Sequence, residues 1–343
     1  MKKHAFALAV LAGFAGVASA QSSVTVFGVV DVNGRYVKNG DIDQYQLSTD
    51  GLNSSRLGFR GVEDLGGGLR AGFWLEAALN PDTGTINSSG KFWHRRTTVS
   101  LESNSFGEIR LGRDFVPTYT AIADFDVFGD NGIGKYSNLQ FNLGGTVNTL
   151  TRGDNQAQYF LPKTLGGVYG SVSLAAGEGN VGDKYVGGRV GYAAGPVNVT
   201  LAYSETQANA ADDQFKLGVI GASWDFGFLK LAGSASQSKY IGREERIYLI
   251  GASAPFGPFV LRASYGMADL SGGTAATRTR DDDDADLFAI GGVYNLSKRT
   301  ALYTTVSRIS NDGVQNRVVA SSNIAAPVGG NSTGFELGLR HSF

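Results

Sequence analysis

Apolar and polar residues alternate with a period of two along most of the chain, and this pattern constrains the fold more than any other feature. From Val24, every second residue up to Val30 lies in one register, whereas Thr25 and Asp31 lie in the other. Successive side chains of a β-strand point to opposite faces, so the pattern indicates strands, and few stretches have a helical period. The predicted strands cover residues 24–35, 54–64, 68–79, 92–103, 106–115, 153–162, 167–177, 184–194, 196–206, 214–225, 227–238, 244–254, 258–269, 286–296, 299–310 and 333–343. The sequence therefore predicts an all-β fold.

The connections between these strands fall into two classes by length. Tight turns, such as 64–68 and 103–107, carry the Gly, Pro or Asn residues that chain reversals require. Longer polar loops lie between them, as at 36–53 and 270–285. Short turns at one end and long loops at the other are typical of outer-membrane barrels. After Gln21 no apolar run approaches the roughly 20 residues of a membrane helix, so the strands would cross the membrane.

The N-terminus has the three parts of a secretory signal peptide. Two lysines precede an apolar run over 5–17, and small residues lead to an expected cleavage site after Ala20. We therefore expect residues 1–20 to be removed and residues 21–343 to form the barrel in the outer membrane. Removing both lysines takes the formal charge of −1 to about −3, which indicates no nucleic-acid partner.

Residue types that carry covalent chemistry are scarce. The absence of cysteine excludes disulfides and thiolate metal sites. After the signal peptide, only His94 and His341 remain as histidines, and an enzyme needs a nucleophile and a base held together. The acidic run 281–284 offers carboxylate ligands for a divalent cation, but consecutive residues rarely converge on one ion. We therefore predict no enzyme activity, no cofactor and no metal site.

One connection, residues 116–152, is far longer than the others. Connections of about 37 residues are generally either functional or disordered. This one contains Tyr119, Phe125, Phe128 and Tyr136, too many aromatic residues for a segment that avoids burial. We expect it to fold back into a cavity, the lumen of the barrel.

Four motifs, in this order and spacing, resemble those of general porins of Gram-negative bacteria, in particular the β-proteobacterial porins of Neisseria, Bordetella and Comamonas. They are SVTVFGVVDVNG at 23–34, SSRLGFRGVEDLGGGLRAGFWLE at 54–76, FGEIRLGRDFVP at 106–117 and GFELGLRHSF at 334–343. The last of them alternates apolar and polar residues and ends on the aromatic Phe343, which resembles the C-terminal signature of outer-membrane barrels.

This resemblance implies a homotrimer of sixteen-stranded antiparallel transmembrane β-barrels. Short turns would be periplasmic, long loops extracellular, and the third loop would fold into the lumen as a constriction. The implied function is a general diffusion porin, a water-filled channel for small hydrophilic solutes and ions. Its surroundings would be outer-membrane lipid and lipopolysaccharide.

Charges at the narrowest point of an aqueous pore decide which ions pass. If Leu57 and Phe59 face lipid or protein, alternation places Arg56 and Arg60 inward. Alternation does not place Glu76, which shares a face with Trp74, so only the resemblance puts it in the lumen.

The resemblance further implies a cluster of wall arginines opposite acidic groups of the inserted loop. By motif alignment the cluster is Arg56, Arg95 and Arg152, with Arg60 as a further wall charge. Arg95 is chosen over Arg96, although Arg96 shares its register with polar residues. The loop would contribute Asp124, Asp126 and the nearby Asp130.

The arginines favour anions, whereas the loop aspartates and the negative net charge oppose that preference. We expect a weak preference for anions. The alternative is a substrate-selective porin for small anions such as organic acids or phosphate. Alternatively, the arginines are ordinary solvated charges, or they fasten the loop to the wall by pairing with its aspartates. An arginine that fastens the loop can also bias permeation.

Overall fold

The structure, a computed structural model, describes residues 23–86, 90–273, 283–320 and 325–343. The predicted signal peptide lies outside these ranges, as do Asp281 and Asp282 of the acidic run. Within the described residues, no helix combines the length and apolar character that a membrane crossing requires.

Eighteen strands and one short α-helix occur within the described ranges. The strands are β1 (Ser23–Asn39), β2 (Ile42–Thr49), β3 (Arg56–Gly66), β4 (Leu69–Asn80), β5 (Thr85–Ile86), β6 (Arg96–Ser103), β7 (Gly107–Phe115), β8 (Arg152–Phe160), β9 (Val168–Ala175), β10 (Tyr185–Ala194), β11 (Val197–Gln207), β12 (Gln214–Asp225), β13 (Lys230–Tyr240), β14 (Arg243–Phe256), β15 (Phe259–Gly272), β16 (Ala285–Asn295), β17 (Thr300–Asn311) and β18 (Ser332–Ser342). The helix, α1, is Pro117–Ala123, and two 3-10 turns follow it at Gly132–Gly134 and Tyr136–Asn138.

The sheet closes on its first strand. The first half of β1 pairs with β3, as in Thr25 with Arg60, and its second half pairs with β18, as in Val32 with Leu339. All other neighbours are antiparallel and follow chain order, apart from β2 and β5, which are short additions beside β1 and β4. The remaining sixteen strands form a closed antiparallel barrel, which confirms the predicted fold and strand number.

The two faces of the barrel follow the alternation of the sequence. On β18, Leu337 and Leu339 are 58% and 47% exposed, whereas Glu336 between its apolar neighbours is fully buried. Apolar side chains therefore cover the outside, and polar side chains point into the lumen, as the pattern predicts.

Candidate functional site

The long loop, residues 116–151, lies inside the barrel. It begins with α1, where Pro117 occupies the first turn and removes one of the backbone donors that a helix start leaves unpaired. Ala121 and Ile122 are buried where α1 lies against β10, β11 and β12. The loop is thus held against the inner wall from its first turn.

Glycines on the inner wall seat the loop side chains. A Cβ atom at Gly221 of β12 would lie 2.5 Å from the Phe125 ring, and one at Gly251 of β14 would lie 2.7 Å from Val127. Gly266 of β15 receives Leu139 in the same way. Because only glycine leaves this space free, these positions fix how closely the loop approaches the wall.

Polar contacts hold the returning half of the loop. The Tyr136 hydroxyl bonds to Ser236 of β13 at 2.5 Å, and Thr149 bonds to Thr206 of β11 at 2.7 Å. Asn138 donates to the Val319 carbonyl of the last connection at 2.6 Å. The loop therefore covers the inner face of β10–β18, which we call the covered half of the wall. The inner face of β3, β4 and β6–β8 is the bare half.

Glu76 is the centre of the charge cluster on the bare half. It pairs across the sheet with Gly58 and Arg96 and is 8% exposed, which places it on the inner face. Its Oε1 atom lies 2.5 Å from Nε of Arg95 and 3.8 Å from Nε of Arg56. The structure thus brings together three of the predicted residues, with two cations sharing one carboxylate.

Arg95 and Arg96 both lie on the inner side. In the predicted strand over 92–103, these two neighbours would point to opposite faces, and only one of them would face the lumen. The strand begins only at Arg96, however, so alternation does not constrain Arg95. The Arg96 guanidinium contacts Asp114 at 3.3 Å and lies 4.5 Å from the Trp74 ring centre.

Arg152 stands at the start of β8 beside the cluster. Its guanidinium lies 4.1 Å from the Phe115 ring centre, and its Nε atom has no hydrogen-bond partner among the described residues. Next to it is a cavity of about 330 Å³ whose lining includes His94, Arg113 and Asp154. Burial, assisted by the neighbouring Arg113, lowers the pKa of His94 to about 4, so His94 is neutral at pH 7.

Arg60 lies four residues further along β3, away from this cluster. Its guanidinium lies 5.4 Å from the Phe27 ring and 5.3 Å from the Trp74 ring, and the residue is exposed. It is a wall charge below the cluster, as alternation predicts.

The acidic residues of the loop have different positions from those expected. Asp124 ends α1 and forms an ion pair with Arg189 of β10 at 2.7 Å, away from the arginine cluster. Asp130 accepts a hydrogen bond from the Ser137 amide at 3.0 Å and is bonded to the Tyr119 hydroxyl. Of the three aspartates, Asp130 is therefore the one bonded to Tyr119, which interacts electrostatically with Arg152.

Asp126 is inside the loop and not on its lumen surface, which corrects the expectation of a charge in contact with water. Its carboxylate accepts hydrogen bonds from the amides of Phe128, Asp130 and Tyr136 at 2.8 to 3.0 Å. Burial, and then the charge of Asp130, raise the pKa of Asp126 to about 6. Asp126 therefore stabilises the backbone conformation of the loop.

Several charged residues of the inner wall were not predicted from the sequence. Arg110 contacts Asp114 at 2.7 Å and Glu108 at 2.9 Å. A signal for this set was present, because Glu108 and Arg110 alternate with apolar Ile109 and Leu111. Arg189 and Asp154 had no comparable signal, since their partners lie far away in sequence.

Known proteins resemble the chain over its whole length. A family model described as Gram-negative porin matches residues 7–314. Outer membrane porin protein 32 of Delftia acidovorans is 40% identical over 370 residues, and an outer membrane porin protein of Bordetella pertussis is 30% identical over 414 residues; both comparisons cover 100% of each chain. The solved structure of an anion-selective porin from Comamonas acidovorans is 35% identical, with a TM-score of 0.84 over 94% of this chain and 100% of that one.

Proposed function

This chain belongs to the Gram-negative porin family, and from that premise we propose that its diffusion channel prefers anions because of the arginines on the bare half of the wall. As a porin it lies in the outer membrane and lets small hydrophilic solutes pass. The observation that carries the proposed preference is the pairing of both Arg56 and Arg95 with the single carboxylate of Glu76. Arg152 is near enough to interact electrostatically with Arg95 and Glu76.

The physical reason is an imbalance of charge in a confined space. Three guanidinium groups and one carboxylate leave a net charge of about +2 if all four are ionised. The loop fills the opposite half of the lumen, and low-dielectric walls focus the field of these charges into the remaining passage. A chloride ion crossing there is attracted, and a potassium ion is repelled.

The loop acids have supporting roles in this proposal. Asp124 fastens α1 to the wall through Arg189, and Asp126 holds the loop's own backbone. Because both carboxylates are engaged in this way, they oppose the arginine field less than free carboxylates would. Asp130 and Arg60 contribute as more distant charges of opposite sign.

One observation favours the alternative of a channel selective for small organic acids or phosphate. Arg152 is buried, yet its Nε atom lacks a partner among the described residues. Guanidinium groups bind carboxylate and phosphate in a bidentate manner, so an anion could bind there instead of only passing. A conductance that saturates with malate or phosphate, but not with chloride, would support this alternative.

Further parts of the proposal rest on the family. The protein would assemble as a homotrimer, with outer-membrane lipid and lipopolysaccharide around it, and would carry out no reaction. Residues 1–20 would be removed as a signal peptide. Sedimentation of the detergent-solubilised protein tests the homotrimer. N-terminal sequencing of the mature protein tests the removal of residues 1–20.

The preference is tested by the zero-current potential of the purified protein in a planar bilayer under a potassium chloride gradient. We expect chloride to be favoured, and Arg56→Ala, Arg95→Ala and Arg152→Ala each to weaken that preference. A unit charge at 4 Å in water contributes about 1 kcal/mol, so each loss should approach roughly fivefold in the permeability ratio.

The matched control is Arg308→Ala, since Arg308 is an exposed arginine on the outer register of β17. The control should leave the potential unchanged. A wild-type channel that favours potassium, or three lumen variants with unchanged potentials, would refute the proposed role of the arginines.

A further inference from the structure

A second cavity lies below the constriction, at the end of the barrel with short turns. It has a volume of about 630 Å³ and is bounded by Thr120 and Asp124 of α1 on one side. On the other side are residues of two short turns, including Asn104 and Pro162. A solute that has passed the arginine cluster meets this cavity before it reaches the periplasm.

The cavity carries both signs of charge side by side. Arg110 pairs with Glu108 at 2.9 Å, and Arg189 pairs with Asp124 at 2.7 Å. Arg70 pairs with Glu102 at 3.0 Å on the same lining. Lys163 of the same lining also pairs with Glu102, at 3.2 Å, so four cations and three anions alternate there and leave a net charge of about +1.

The cations of the cavity are held in place by aromatic rings. The Arg110 guanidinium lies 4.2 Å from the Phe160 ring centre, and that of Arg189 lies 4.9 Å from the Tyr169 ring centre. Asp124, in contrast, is 51% exposed at its side chain, whereas Arg189 is 8% exposed. Fixed guanidinium groups thus stand next to a carboxylate that is open to the cavity.

The cavity shares part of its lining with a smaller cavity on the side of the constriction. A smaller cavity of about 130 Å³ is lined by Arg96 and Asp114 of the upper region. Arg110, Thr120 and Phe160 line both cavities. Charged groups therefore follow one another from the arginine cluster to the periplasmic end.

We propose that this lower cavity is a second subsite of the channel and that it binds zwitterionic solutes, which carry an acidic group and an ammonium group a few ångströms apart. The acidic group contacts Arg110 and Arg189, and the ammonium group contacts Asp124 and Glu108. A simple anion gains only the first contact and is repelled by the two carboxylates. The inference rests on the proposed function, because the solute must first pass the arginine cluster.

The test compares two solutes that differ in one amino group. Taurine is a zwitterion, and ethanesulfonate is the corresponding anion, which stays ionised and does not leak through lipid. Efflux of each radiolabelled solute is measured from proteoliposomes containing the full protein at pH 7. We expect Asp124→Asn to slow taurine by up to about fivefold, the range for a partly exposed ion pair, and to leave ethanesulfonate unchanged or faster.

A second variant separates binding from loop position. Asp124 also fastens α1, whereas Glu108 lies on β7 and bonds only to the wall residue Arg110 among its described contacts. Glu108→Gln should therefore slow the efflux of taurine more than that of ethanesulfonate. Arg308→Gln, on the outside, should change neither efflux rate.

Equal slowing of both solutes in Glu108→Gln, or no slowing of taurine in either variant, would overturn the second subsite. The zero-current potential of the same preparations reports on the arginine cluster separately. A wild-type channel without chloride preference would refute the proposed function, while the taurine-to-ethanesulfonate ratio would still test the subsite.

Discussion

The covered half and the bare half of the inner wall belong to the same sheet, yet they differ in what fills the space in front of them. On the covered half, several inward positions are glycine, as at Gly221 and Gly251, and apolar loop side chains occupy the room in front of them. On the bare half, inward positions carry long charged side chains such as Arg56 and Arg95. Inward side chains therefore decide whether protein or water fills the lumen at each point.

The two halves also tolerate change differently. Protein packed against glycine leaves no room for an added methyl group, because interiors are close-packed. Charges facing water can be exchanged with little steric effect. Substitutions on the covered half should therefore alter the size of the passage, and those on the bare half its ionic preference.

The largest effect is expected from Gly221→Leu, which tests the seating of the loop. The new side chain would occupy the place of Phe125, and overpacking of this kind typically costs about 1–3 kcal/mol. The loop should move toward the bare half, so single-channel conductance should fall and current fluctuations should grow. Gly218→Leu is the matched control on the outer face of the same strand, where a Cβ atom meets nothing closer than Tyr203 at 4.0 Å. Equal conductances of the two variants would contradict the division into two halves.

Glu76→Gln should have the next largest effect, confined to selectivity. The amide keeps an acceptor for the Trp74 indole but no longer neutralises Arg56 and Arg95. Chloride preference should rise by roughly fivefold, about 1 kcal/mol for one unit charge at 4 Å in water. Zero-current potentials measure this change in chloride preference. The control is Glu205→Gln, since Glu205 pairs with Lys216 away from the cluster. A lower chloride preference in Glu76→Gln would show that Glu76 mainly positions the arginines.

A smaller effect is expected from the titration of Asp126, which changes the stability of the loop. Its pKa in the folded loop is about 6, above the ordinary value of 3.8, so the folded loop binds the proton more tightly. The stabilisation of the folded loop by proton binding at Asp126 is fully present below about pH 4. It is lost as the pH rises to about 6, at about 1.4 kcal/mol per pH unit. Hydrogen-exchange protection of the Phe128 and Tyr136 amides should decline over this window and be flat in Asp126→Asn. The same decline in that variant would assign the effect to another group.

The smallest effect concerns His94 beside the arginine cluster. Its pKa of about 4 means that it gains a positive charge only as pH falls through that value. Chloride preference should then rise further in the wild type than in His94→Gln, by less than about twofold because salt screens the added charge. Zero-current potentials at pH 6 and pH 3.5 give the comparison. Identical pH responses of the two proteins would remove His94 from the constriction.

The sequence alone determined the architecture of this protein. Alternation in sixteen segments predicted the strands, and the unequal connections predicted which end has long loops. It also placed Arg56 and Arg60 on the inner face. These features depend on residues close together in the chain, since the side-chain period of a strand is a local property.

The path of the long loop and the partners of its charges depend instead on the tertiary structure. Arg95 and Arg96 both face inward because the strand starts later than the pattern suggested. Asp124 finds Arg189, 65 residues away, and Asp126 turns toward its own loop backbone. Such contacts depend on which glycines on distant strands leave room for the loop, and no local pattern specifies that matching.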